Sequence, residues 1–77
     1  MKMFEINLRS VEQVQSFVTL ACAQNFEMTV GTERHRVNGK SFMQLFSLDL
    51  RQTQQVMMDC SEEEFERFYN AAGSFRK

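Results

Sequence analysis

Val37-Asn38-Gly39-Lys40-Ser41-Phe42-Met43-Gln44-Leu45-Phe46-Ser47-Leu48-Asp49-Leu50 runs from a polar Gly-Lys-Ser corner into a short helix with more apolar surface than a core can absorb. A helix of one or two turns buries a single stripe, yet Phe42, Met43, Leu45, Phe46 and Leu48 point in nearly every direction around it. Leu45 and Leu48 can face a core, which leaves Phe42, Met43 and Phe46 toward water or a partner. A surface of Phe and Met is adaptable and rich in contact area, which suits protein binding.

Ser41 opens one of three Ser-x-x-Gln/Glu sequences, with Ser10-Val11-Glu12-Gln13 on one side of it and Ser61-Glu62-Glu63-Glu64 on the other. Each places a hydroxyl where it accepts from the third helical amide and a Gln or Glu where it reaches back, the reciprocal capping box. After Ser10, the apolar residues Val11, Val14, Phe17, Val18, Ala21 and Cys22 recur every three or four positions and predict an amphipathic helix. After Ser61, Phe65, Phe68, Tyr69, Ala72 and Phe75 do the same, with acids in the first turn and Arg76 and Lys77 at the far end, as the helix dipole favours.

Between the caps the period is two. Phe4, Ile6 and Leu8 alternate with Met3, Glu5 and Asn7; Phe26, Met28 and Val30 with Glu27 and Thr29; Val56, Met58 and Cys60 with Met57 and Asp59. Arg34-His35-Arg36-Val37-Asn38 reads as a fourth strand, joined to the second by a Gly31-Thr32-Glu33 turn. The order is βαββαβα. One-sided strands and amphipathic helices predict an α+β open-faced sandwich, with three helices on one face of a four-stranded antiparallel sheet and residues 1–77 forming one domain.

Composition excludes several classes of function. Nine Lys plus Arg against ten Asp plus Glu give a net charge of −1, with no electrostatic reason to bind nucleic acid or an anionic membrane. The apolar runs are far too short to span a membrane, and the N-terminus lacks the pattern of a secretory signal, so the expected location is the cytoplasm. Cys22 and Cys60, with a single histidine, make no metal-ligand set and read as two small buried hydrophobes in a reducing compartment. A P-loop needs a glycine where Arg34 stands. No catalytic constellation can be assembled, so the chain is expected to be a non-enzyme without cofactor.

Lys40-Ser41-Phe42-Met43-Gln44-Leu45-Phe46-Ser47-Leu48 resembles, residue by residue, the Ser-apolar-Met-x-Leu-Met/Phe-Ser-Leu helix of HPr, the small histidine phosphocarrier of the bacterial sugar phosphotransferase system. The similarity is closer to its catabolite-repression homologue, which lacks the phosphocarrier histidine. The element order is also that of HPr-like proteins, so the resemblance covers almost the whole chain. It implies that Ser41 is a regulatory phosphoserine and that Lys40, Ser41, Phe42, Met43 and Phe46 form the surface that partners grip. Those partners would be an HPr kinase, a transcription regulator or a metabolic enzyme.

In active phosphocarriers the first strand leads into Gly-Leu-His-Thr-Arg-Pro-Ala. Here Leu8-Arg9-Ser10-Val11-Glu12-Gln13 fills that place and is several residues shorter. Anchored on Gln15-Ser16-Phe17-Val18, the alignment puts Ser10 under the histidine and Glu12 under the arginine. A phosphohistidine carrier needs an imidazole nucleophile and a nearby cation, which a serine and a glutamate do not supply. His35, the remaining imidazole, shares the face of Val37 and is expected as a half-buried or edge-strand histidine in the middle of its strand. Gly39 takes the place of a common family alanine.

Three functions are open on these grounds. A serine-phosphorylated regulatory homologue would act in sugar phosphotransferase or carbon catabolite control through Ser41. A stand-alone interaction or homodimerisation module would use Phe42, Met43 and Phe46 and ignore Ser41. A relict carrier would accept phosphate on His35.

Overall fold

Side-chain alternation decides which segments become strands, because only a period of two buries one face of an extended chain. The computed structural model describes residues 1–77 as β1 (Lys2–Ile6), α1 (Val11–Cys22), β2 (Met28–Gly31), β3 (Arg36–Asn38), α2 (Phe42–Leu45), β4 (Gln54–Met58) and α3 (Glu62–Ala71). The order βαββαβα is the expected one. The strands form one antiparallel sheet in the order β1-β4-β2-β3. Its register pairs Phe4 with Val56, Val56 with Val30 and Val30 with Val37, a buried apolar row crossing all four strands. The helices cover that face, and the opposite face carries Met3, Glu5, Thr29, Gln55 and Met57.

Phe68 on α3 is the hub of the core. It is 1% exposed, with ring centroids 5.8 Å from Phe4, 6.1 Å from Phe17 and 6.1 Å from Phe26. Each such pair adds about 0.5–1.5 kcal/mol beyond the area it buries. On α1 the buried stripe is Val14, Phe17 and Ala21. Val11 and Cys22, expected on it, lie on the adjoining flank and are exposed, because 3.6 residues per turn carries both away from the stripe's centre. Cys22 is therefore not a buried hydrophobe; its thiol donates to the Lys40 carbonyl at 3.5 Å, and Cys60 is half-buried.

Only Ser61 closes a full capping box: its Oγ accepts from Glu64 N, and Glu64 Oε1 accepts from Ser61 N. The hydroxyls of Ser10 and Ser41 cap as expected, at 3.1 and 3.3 Å from the third amide. Their glutamines reach past the cap instead. Gln13 Oε1 accepts from Arg9 N at 2.6 Å, and Gln44 Oε1 accepts from Asn38 N at 3.0 Å, so each pins the preceding loop.

The chain ends differently from its periodicity. α3 stops at Ala71, and Arg76 bridges to Ile6 rather than closing the helix. Asn7 N donates to Phe75 O at 2.7 Å and Lys77 N to Glu5 O at 3.1 Å, so the tail satisfies the outer edge of β1 that another helical turn would leave unpaired. The hairpin between β2 and β3 turns at Gly31, whose φ of 154° suits glycine; a β-carbon there would stand 2.1 Å from His35 O.

Phe68→Ala is expected to lower unfolding free energy by about 3–5 kcal/mol, because it leaves a cavity bounded by three other rings. Met43→Ala, on a side chain 78% exposed, is expected to change it by less than about 0.5 kcal/mol; urea midpoints measure both.

Candidate functional site

The Gly39-Lys40-Ser41 corner is built from short-range polar contacts. Lys40 N donates to Asn38 Oδ1 at 2.9 Å and Ser41 N to Asn38 O at 3.1 Å, which turns the chain from β3 into α2. A β-carbon at Gly39 would stand 2.7 Å from Met28 Cγ, so Met28 occupies the room that an alanine here would need. Ser41, extended at φ −107° and ψ 108°, caps the helix through its hydroxyl. That hydroxyl donates to nothing in the chain. The Lys40 ammonium reaches back to Gln24 O at 2.9 Å and ties the corner to the end of α1.

Helix α2 covers only Phe42–Leu45, followed by a turn through Leu48. Leu45 and Leu48 are buried, as their spacing predicts. Phe42 is partly buried against the core and meets Phe46 edge-on at 4.9 Å, while Met43 and Phe46 stand outside, 78% and 42% exposed. Of the three residues expected outside, two are, and Phe42 is their support.

The exposed surface reaches beyond α2. Leu8, Val11, Phe46 and Leu50 line an open depression of ≈ 310 Å³ rimmed by Arg9, Ser10 and Arg51. The fold therefore brings Ser10, at the start of α1, to the same depression as Phe46. Leu8 and Val11 escaped the sequence reading because each fits the core period of its own segment, and Leu50 because it belongs to no periodic segment. Val11's place at the first helical position, one flank away from Val14, was the available signal. On the rim, hydrogen bonds from Arg51 hold the Asp49 carboxyl below the usual carboxylate range and raise the guanidinium in turn.

His35 is not in the middle of a strand. It is exposed in the turn before β3, because Thr32 N bonds to its carbonyl and β3 begins at Arg36. Its Nε2 lies 3.2 Å from Ser47 Oγ. Ser47 gives its own hydrogen to Gln44 O at 2.7 Å, so the imidazole is the donor to Ser47. The neighbouring Arg36 lies across the open sheet face, bonded to Thr29 and to Gln55 O; desolvation there lowers its pKa.

Gln54, unforeseen as a core residue, fixes the loop behind the depression. It is 1% exposed, and its amide nitrogen donates to Asp49 O at 2.8 Å and Gln52 O at 3.0 Å. No helix is long and apolar enough to cross a membrane.

No curated protein sequence gives a significant match. Among solved structures, HPr-C-His from Thermoanaerobacter tengcongensis superposes with a TM-score of 0.76 at 22% identity, covering 96% of this chain and 93% of that one. This likeness establishes the fold. The profile of the PTS-HPr family, described as the PTS HPr component phosphorylation site, matches residues 10–75. That match takes in α1, the capped α2 and α3, and on it the chain belongs to the HPr family of the phosphotransferase system.

Proposed function

We propose that this chain is a regulatory, protein-binding member of its family, not a phosphohistidine relay, and that phosphorylation of Ser41 switches its contacts in sugar phosphotransferase and carbon catabolite control. The observation that carries the proposal is the exposed pair Met43 and Phe46, one turn from a capping serine whose hydroxyl hydrogen is given to no group of the chain. Phosphate at Ser41 Oγ replaces that free hydrogen and adds up to about two negative charges beside the apolar surface. Lys40, held by Gln24 O, is the nearest cation in sequence for it to draw. Lys40, Ser41, Phe42, Met43 and Phe46 then form one contact surface for an HPr kinase, a transcription regulator or a metabolic enzyme. Phe42 serves as the brace.

Loss of histidine relay rests on the same chemistry. Ser10 offers a hydroxyl in place of an imidazole nitrogen, and Glu12 brings the wrong charge for a phosphoryl group. His35 offers no substitute: Arg36 is committed to the sheet, and Arg34 is exposed, where an ion pair contributes little. A homodimer through Phe46 and Met43 is the second reading, favoured by the apolar depression alone, since that surface needs no phosphate.

Incubation with ATP and a bifunctional HPr kinase is expected to add one phosphate to the wild type and none to Ser41→Ala, read by intact mass. Phosphate on neither protein removes the switch. Phosphoenolpyruvate with the first phosphotransferase enzyme is expected to leave no acid-labile phosphate, and its appearance on His35 would overturn the loss of relay. Phe46→Asp is expected to keep the fold, with a stability change on the order of 0.5 kcal/mol. Sedimentation then decides the second reading: a wild-type dimer that the variant dissolves supports it, and a monomeric wild type excludes it.

A further inference from the structure

The uncovered face of the sheet carries an apolar cluster that neither the core nor α2 explains. Met3 on β1 is paired directly with Met57 on β4, and both point away from the helices. Met1 shares Met3's face, two residues along the same extended chain. Met1 and Met57 line one shallow depression of ≈ 160 Å³, with Met28 and Met58 beneath and Glu27 and Asp59 beside them. Five of the six methionines thus gather at one end of the sheet. Thr29, paired with Met57 in the same depression, and Glu5, Gln55 and Arg36, farther along this face, are polar, as a solvated face requires. Met1 and Met3, 82% and 52% exposed, gain little from burial where they stand.

We propose that Met1, Met3 and Met57 form a binding site for a soft monovalent metal ion, Cu(I), through their thioether sulfurs. Thioethers select soft, electron-rich ions and are poor ligands for hard ones. The geometry suits three converging arms. Cross-strand β-carbons stand about 5 Å apart, positions i and i+2 about 7 Å, and three rotatable bonds let each sulfur swing to a common point. Glu27 and Asp59 add negative potential that draws a cation without needing to ligate it. Cys60, half-buried with its pKa pushed up by burial, is a competing soft ligand, because such ions displace a thiol proton, and it is therefore replaced in the test. The site lies on the face opposite α2 and does not depend on the docking proposed there.

Ag(I), a redox-stable ion of the same softness, tests the site in protein carrying Cys22→Ser and Cys60→Ser, which removes both free thiols. In a titration followed by methionine methyl signals, those of Met1, Met3 and Met57 are expected to shift together and saturate at a single equivalent. The signal of Met43, exposed on α2, is expected to stay in place. Met57→Leu keeps the side-chain volume and is expected to weaken Ag(I) binding at least about tenfold, the smallest loss typical of damage to a metal site. Met3→Leu, at an exposed position, provides the same comparison if Met57→Leu does not fold. Cu(I) held reduced by ascorbate is expected to displace Ag(I). The site is overturned if no methionine signal moves, if Met43 moves in parallel, if the folded variants bind like the wild type, or if Cu(I) fails to displace Ag(I).

Discussion

Phe68 reaches Phe4 on β1, Phe17 on α1 and Phe26 before β2, so one ring joins three distant parts of the chain by one tilted and two edge-on aromatic contacts. A chain of 77 residues buries a modest share of its surface, and eight phenylalanines supply large contacts without disulfides. The ring cluster fixes α1 and α3 to the sheet. It does not include α2, whose hold on the core comes from Leu45, Leu48 and the brace of Phe42. The apolar surplus on α2 follows from this division: the core is closed elsewhere, so Met43 and Phe46 have no cavity to fill.

Beside these apolar anchors, polar contacts set the position of α2. Gln44 ties the helix to the Asn38 amide, Lys40 ties the corner to α1, and buried Gln54 ties the following loop to β4. Such contacts each contribute on the order of 1 kcal/mol and give position more than stability. A surface held this way keeps its shape while its chemistry changes. Met43 and Phe46 lie outside the aromatic hub, so substitution there leaves the hub's contacts in place.

The elements were legible wherever a local rule met no competitor. Alternation around Phe4, Met28 and Val56 found the long strands, and three capping serines found every helix start. The misses have tertiary causes. Ala72 and Phe75 continue a helical period and are buried, yet the free edge of β1 takes the chain into the sheet instead. Gln13 and Gln44 sit where a capping box needs them, but better-placed loop amides capture them. Gln54 is polar and buried because two loop carbonyls surround it, which no periodicity reveals. The site was legible in part: Ser41, Met43, Phe46 and Leu50 lie in one stretch, whereas Leu8 and Val11 join Phe46 and Leu50 only through the fold.

The two exposed apolar clusters differ in a way that bears on their roles. Phe46 belongs to a depression rimmed by Arg9, Ser10 and Arg51. The methionines of the open face sit beside Glu27 and Asp59 and contain no aromatic ring. Rings with cations at their edge complement a protein surface bearing apolar groups and carboxylates, where phosphate at Ser41 would shift the local balance of charge. Flexible thioethers with carboxylates at their edge complement a small soft cation. A sheet covered on one side only thus leaves two apolar surfaces with different polar neighbours, and neither shares a residue with the other.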